Sequence, residues 1–176
     1  MARSDVGCGG CIEPHSPSAE ADTGPRANAF LNGYKLAEPL VKKMEFVVKT
    51  DKGNFDLEAS VRFVGKDLLV AIWGGERPHI GAVAIAQPRP SLKDPAQISS
   101  TGSVFCLMGH KEDDLAKAVA EILAATINTT VVVTAGIHWH NISEEGIRKV
   151  TENSQILIEL ILDQINKKMA REKVKG

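Results

Sequence analysis

Apolar and polar residues change their period along this chain, and the changes mark out its elements. From Met44 the spacing is that of strands, with Phe46 and Val48 leading into Asp51-Lys-Gly-Asn54, where the glycine suits the positive φ of a tight turn. Beyond it Phe55, Leu57, Ala59, Val61 and Phe63 alternate with Asp56, Glu58, Ser60 and Arg62, the pattern of a half-buried antiparallel hairpin. A second turn at Gly65-Lys-Asp67 opens Leu68–Trp73, which is apolar on both faces and therefore central in a sheet. Gly74-Gly75 breaks that run, and His79–Ala86 is again apolar on both faces. Strands in such close succession predict an antiparallel meander. Residues 87–103 hold three prolines and a Ser/Thr/Gly cluster and read as a long loop, followed by a short strand over Val104–Met108.

The period then lengthens to that of a helix. Glu112, Asp113 and Asp114 put carboxylates at a helix start, where the macrodipole favours them, and Leu115, Val119, Ile122 and Leu123 follow at helical spacing towards Asn128. Val131–Thr134 is a β-branched strand. Ser143 is placed to cap a last helix whose apolar stripe is Ile147, Val150, Leu157, Ile158, Ile161 and Ile165. The expected fold is α+β: an antiparallel β-sheet meander with two main helices packed on it, in a single domain. Residues 1–30, rich in Gly, Pro and Ser without an apolar period, read as a disordered N-terminal arm. Residues 31–170 form the domain, and 171–176 a basic tail.

Composition narrows the function. With 21 basic against 22 acidic residues and a net charge of -1, the chain has no field for gathering nucleic-acid phosphates or anionic lipid. No apolar run approaches the roughly 18 to 20 residues that cross a bilayer, and MARSDVGCGG lacks the apolar segment of a secretory signal. Three cysteines are too few for a disulfide framework, so a cytoplasmic protein is expected. Cys8-Gly-Gly-Cys11 with His15 supplies only half of a tetrahedral metal site and reads as free thiols, while Cys106 packs in a strand.

Four of the five histidines, His79, His110, His138 and His140, stand where strands meet loops. His138 and His140 are two apart, so an extended backbone points both imidazoles to one face, a geometry for a metal or a phosphate. Gly74–Gly81 combines backbone freedom with Arg77 and His79, which suits an anion, although a bulged hairpin accounts for it as well. Thr101-Gly-Ser103 and Gly109-His-Lys111 offer hydroxyls, amides and a helix N-terminus, or plain capped turns. There is no GxSxG and no HExxH, so the residues favour binding of a flat, anionic ligand over catalysis by the protein alone.

Three runs, Gly74–Ala84, Gly109–Leu115 and Thr134–Ile142, together resemble the small D-subunit family that accompanies gallate and protocatechuate decarboxylases, the prenylated-flavin chaperones. The likeness spans about residues 44 to 165. It implies a homodimer that binds reduced prenylated FMN, protects or assists its oxidative maturation and passes it to a UbiD-type decarboxylase. Such a protein is an accessory to an enzyme more than an enzyme itself. Under this resemblance Gly74, Gly75, Arg77, His79, Gly81, Ser103, His110 and Lys111 are expected to hold the flavin nucleotide (prenylated FMN or FMN), with the small residues of Gly81–Ala86 as a wall for its rings. If a divalent metal ion bridges the phosphate, His138, His140 and Glu112 are its expected ligands. Two other classes stay open: a cofactor-free dimeric protein-assembly chaperone, like those that assist proteasome assembly, and a metal-dependent hydrolase built on His79, His138 and His140.

Overall fold

Alternating residues become strands where one side can be buried, and the computed structural model, which describes residues 44–173, shows six of them. They are β1 (Glu45–Lys49), β2 (Leu57–Val64), β3 (Asp67–Gly75), β4 (Ala82–Pro90), β5 (Ile98–Cys106) and β6 (Val131–His138). Helix α1 (Asp113–Ile127) lies between β5 and β6, and α2 (Glu144–Lys173) ends the described chain. The N-terminal arm with Cys8, Cys11 and His15 lies outside the described residues. The helix continues to Lys173, into the stretch expected as a basic tail.

The strands form one sheet in the order β1-β2-β3-β6-β4-β5. The expected meander holds for β1, β2 and β3, and β4 and β5 add an antiparallel hairpin. Between the two β6 is inserted, parallel to β3 and antiparallel to β4. The sheet is thus mostly antiparallel, and with its two helices the fold is α+β.

The long loop expected over 87–103 is mostly strand. β4 runs on through Pro88 and Pro90, and β5 begins at Ile98. Pairing of β4 with β6 ends at Ala86↔Val131, while pairing with β5 continues to Pro90↔Ile98. The amides of Leu107 and Ser91 bond to Gly81 and Gln97, so odd-numbered residues of β4 face β5. The amides that Pro88 and Pro90 lack therefore face the side that β6 has already left, where proline costs no ladder bond.

Both helices cover one face of the sheet. Ala82, Ala84 and Ala86 of β4 are fully buried with Ala116, Ala120 and Ala124 of α1, small residues that bring helix and sheet close together. Leu57, Val61, Val70, Ile72, Val133 and Ile161 fill the rest of that core. Ser143 caps α2 as expected, its hydroxyl accepting the Gly146 amide at 3.1 Å. Among the described residues no helix is long and apolar enough to cross a membrane.

Candidate functional site

Because β6 lies between β3 and β4, the chain leaving β3 must cross the end of β6 to enter β4. Residues 76–81 make that crossing. Glu76 donates its amide to the His138 carbonyl at 2.8 Å, and Gly81 donates to Ala135 at 2.8 Å, so the crossing segment is tied at both ends to β6. Gly136 makes it possible, since a Cβ there would fall on the His79 carbonyl. Gly75, at φ +84, lies against the His138 carbonyl in the same way.

The crossing brings His79 over the end of β5. There the Leu107 amide bonds to Gly81 at 2.8 Å, and a turn with Gly109 at φ +85 leads into His110. Three side chains from two distant segments now meet. His79 Nε2 lies 2.9 Å from His110 Nδ1, and the Glu112 carboxylate lies 3.6 Å from each of them. All three are partly buried, and among the described residues they are the one group of His, Cys, Asp and Glu side chains close enough to share a metal ion.

Local bonds orient each member. His79 Nδ1 lies 2.9 Å from the Arg77 carbonyl, which can only accept, so Nδ1 carries the proton and Nε2 of the neutral ring turns its lone pair inward. Glu112 precedes α1, its carbonyl taking the Ala116 amide, while its carboxylate accepts the Lys111 amide at 3.0 Å and the Ile137 amide at 3.3 Å. The side chain thus ties the helix start to β6. Gly81 lies beneath the group: a Cβ there would come within 2.5 Å of Glu112 Oε2 and 3.1 Å of His110 Nδ1.

The donor set fits a divalent cation. Three ligands held about 2.1 Å from one ion stand roughly 3.0 to 3.5 Å apart, close to the separations seen here. Two imidazoles and a carboxylate suit several transition metals.

The other residues singled out from the sequence divide by position. His138 is exposed at the end of β6 with its ring centroid 6.4 Å from that of His79, and His140 is exposed in the following turn. Lys111 and Arg77 are exposed beside the cluster in sequence. Gly74 makes room for Trp139, whose Cη2 would lie 3.1 Å from an added Cβ. Ser103 pairs with Ile85 on the face of the sheet away from the helices, three residues before the strand end that adjoins the cluster. The expected wall of small residues over Gly81–Ala86 does not face a ligand: Ala82, Ala84 and Ala86 are fully buried on the face that α1 covers. Under the resemblance His79 and His110 are grouped as flavin ligands and Glu112 with His138 and His140 as metal ligands; the trio itself depends on the crossing over β6, which joins them.

Comparison with known proteins bears on the family. Residues 51–166 match the family model for the prenylated flavin chaperone LpdD-like domain. Protein LpdD of Lactiplantibacillus plantarum is 26% identical over 98 residues, covering 56% of this chain and 68% of that protein. A solved chaperone complex for yeast 20S proteasome assembly aligns over 72% of this chain and 97% of its own at 11% identity and a TM-score of 0.44, a likeness too slight to carry an argument. The family match spans β2 to β6, the crossing segment, all of α1 and most of α2, and on that ground the chain belongs to the prenylated flavin chaperone LpdD-like family.

Proposed function

We propose that the protein binds a prenylated flavin mononucleotide, with the phosphate end at the His79–His110–Glu112 cluster, and carries it to a UbiD-type decarboxylase. Membership of the family supports the flavin, and convergence of the three side chains is the observation that carries the site. His79, His110 and Glu112 would hold a divalent ion, in place of the grouping of Glu112 with His138 and His140 expected under the resemblance. When bound, such an ion supplies the positive charge that a phosphate requires. The chain's own residues do the remaining work: the Arg77 carbonyl fixes the His79 tautomer, and the Ile137 and Lys111 amides hold the Glu112 carboxylate in place. Exposed Arg77 and Lys111 add charge-assisted donors for the phosphate.

Anaerobic titration of the purified protein with reduced prenylated FMN tests the reading. Wild type binds it, and binding weakens when a chelator strips divalent ions. His110→Ala costs about 1 to 3 kcal/mol of binding, the worth of one charge-assisted contact, at an unchanged melting temperature. A wild type that binds no prenylated flavin at micromolar concentrations overturns the proposal and favours a cofactor-free assembly role, in which these histidines tolerate alanine.

A further inference from the structure

A groove of about 780 Å³ runs between α1 and α2 and reaches the cluster at Glu112, with Lys111 and His138 also in its lining. Its walls are mainly apolar: Leu115 and Ile122 come from α1, Ile147 and Val150 from α2, Ile137 from the end of β6 and Trp139 from just beyond it, with Thr151, Ser154 and Gln155 as polar members on α2. Folding does not account for this space. Interiors close to native density leave few voids larger than a water, yet Ile122 and Ile147 stand 44% and 53% exposed along it. Both belong to apolar stripes whose other members are buried or, at Leu115 and Val150, partly buried, so each stripe runs on past the packed core into the groove.

We propose that this groove holds the ring system of the ligand, and that its aliphatic walls select the prenylated flavin over unmodified FMN. The inference rests on the flavin reading above and assigns the part of the ligand that the cluster does not hold. Volume is the first argument, since sites for molecules of this size measure about 300 to 1,000 Å³. Continuity is the second, because an apolar slot that ends on imidazole, carboxylate and ammonium groups matches an apolar body with an anionic end. Trp139 supplies a ring for stacking, and its pose is fixed from outside the groove by Phe55, whose ring meets it edge-on at 5.2 Å between centroids. The walls are branched aliphatics, which gain from an added isoprenoid ring and gain nothing from the bare polar edge of an ordinary flavin.

The test is a set of anaerobic titrations with reduced prenylated FMN and reduced FMN. The proteins are wild type, Ile122→Gln/Ile147→Gln, Ala118→Phe and His110→Ala, each checked by thermal melting. Both groove variants alter exposed positions, the first making the wall polar and the second filling the space. Wild type prefers prenylated FMN by about tenfold or more, as burial of several added carbons requires. The double variant loses that preference, Ala118→Phe loses affinity for both flavins, and His110→Ala weakens both equally with the ratio intact. If both groove variants bind like wild type, the groove assignment falls and the flavin reading stands. If wild type binds neither flavin, both fall. Groove variants that bind both flavins normally but no longer activate a decarboxylase assign the groove to a partner helix and overturn the proposal.

Discussion

Two glycines near the cluster predict opposite outcomes for the same substitution. At Gly81 an added methyl group meets the carboxylate of Glu112 at 2.5 Å, the far end of a side chain that can swing away. Gly81→Ala should therefore cost only the amide bond that the carboxylate gives up, about 1 kcal/mol, while moving one donor out of the trio. Weaker binding of a divalent ion, read by calorimetry with the metal alone, is the expected result; unchanged metal affinity would remove Glu112 from the ligand set. At Gly136 the added methyl falls on the carbonyl of His79, backbone against backbone, and nothing can swing aside. Gly136→Ala should destabilise the fold by at least about 1 to 3 kcal/mol, the usual cost of overpacking, with the crossing segment displaced. Neither consequence is legible from the sequence, where both residues look like ordinary strand breakers. A glycine that admits a close approach differs from one that makes a turn only in what approaches it, and that neighbour comes from a distant part of the chain.

At the scale of elements, local signals were read well where their cause is local. The turn at Asp51–Asn54 forms with Gly53 at φ +98, Ser143 caps α2, and α1 closes on Asn128 in the left-handed conformation. The β4–β5 hairpin escaped the reading because Pro88 and Pro90 are breakers only when a neighbouring strand needs their amides, and β6 has ended before them. The stripe of α2 reads as one buried face, but its N-terminal members Ile147 and Val150 line the groove while Leu157, Ile161 and Ile165 are buried, a difference that depends on where α1 stops covering it. The β1–β2 turn also yields a pH dependence. Burial opposes the charge on Asp56, but the Lys52 amide, the Thr50 hydroxyl, the Gly53 amide and the Lys49 ammonium outweigh it and hold the carboxyl below its ordinary value. A carboxyl lowered in the folded state contributes stability above its unfolded value, and loses that contribution as pH falls through the folded one. Asp56→Asn should melt below wild type near neutral pH, and the two melting curves should converge in strong acid. A gap that persists in acid would show that the carboxylate charge is not what holds the turn.

At the scale of the whole molecule the sheet, among the described residues, has one covered face and one open one, and the open face is apolar at its centre. Leu69, Val132 and Ile85 stand abreast across β3, β6 and β4, with Ala71, Thr134, Val83 and Phe105 in the next row. Leu69, Ile85 and Phe105 are 39%, 47% and 68% exposed. With Val47 they expose on the order of 400 Å² of apolar surface, within the range where such patches mark an interaction site and a large part of what each partner of a standard interface buries. The charges beside them balance, since Lys49 pairs with Glu58 at 3.5 Å and Glu45 stands opposite Arg62. A face with both signs and an apolar centre can meet a copy of itself without net repulsion, whereas a partner chosen by charge calls for a single sign. The homodimer implied by the family resemblance is therefore expected to form sheet to sheet, leaving the helices and the groove between them free for ligand and client. Light scattering should give twice the 18.9 kDa chain mass for wild type and the single mass for Ile85→Lys/Phe105→Glu, whose replaced side chains are exposed in the single chain and should not lower its helix content. Flavin should still bind to the monomeric variant, because neither Ile85 nor Phe105 belongs to the cluster or lines the groove. A variant that remains dimeric moves the interface elsewhere, and a monomer that has lost flavin binding would mean that the second copy completes the site.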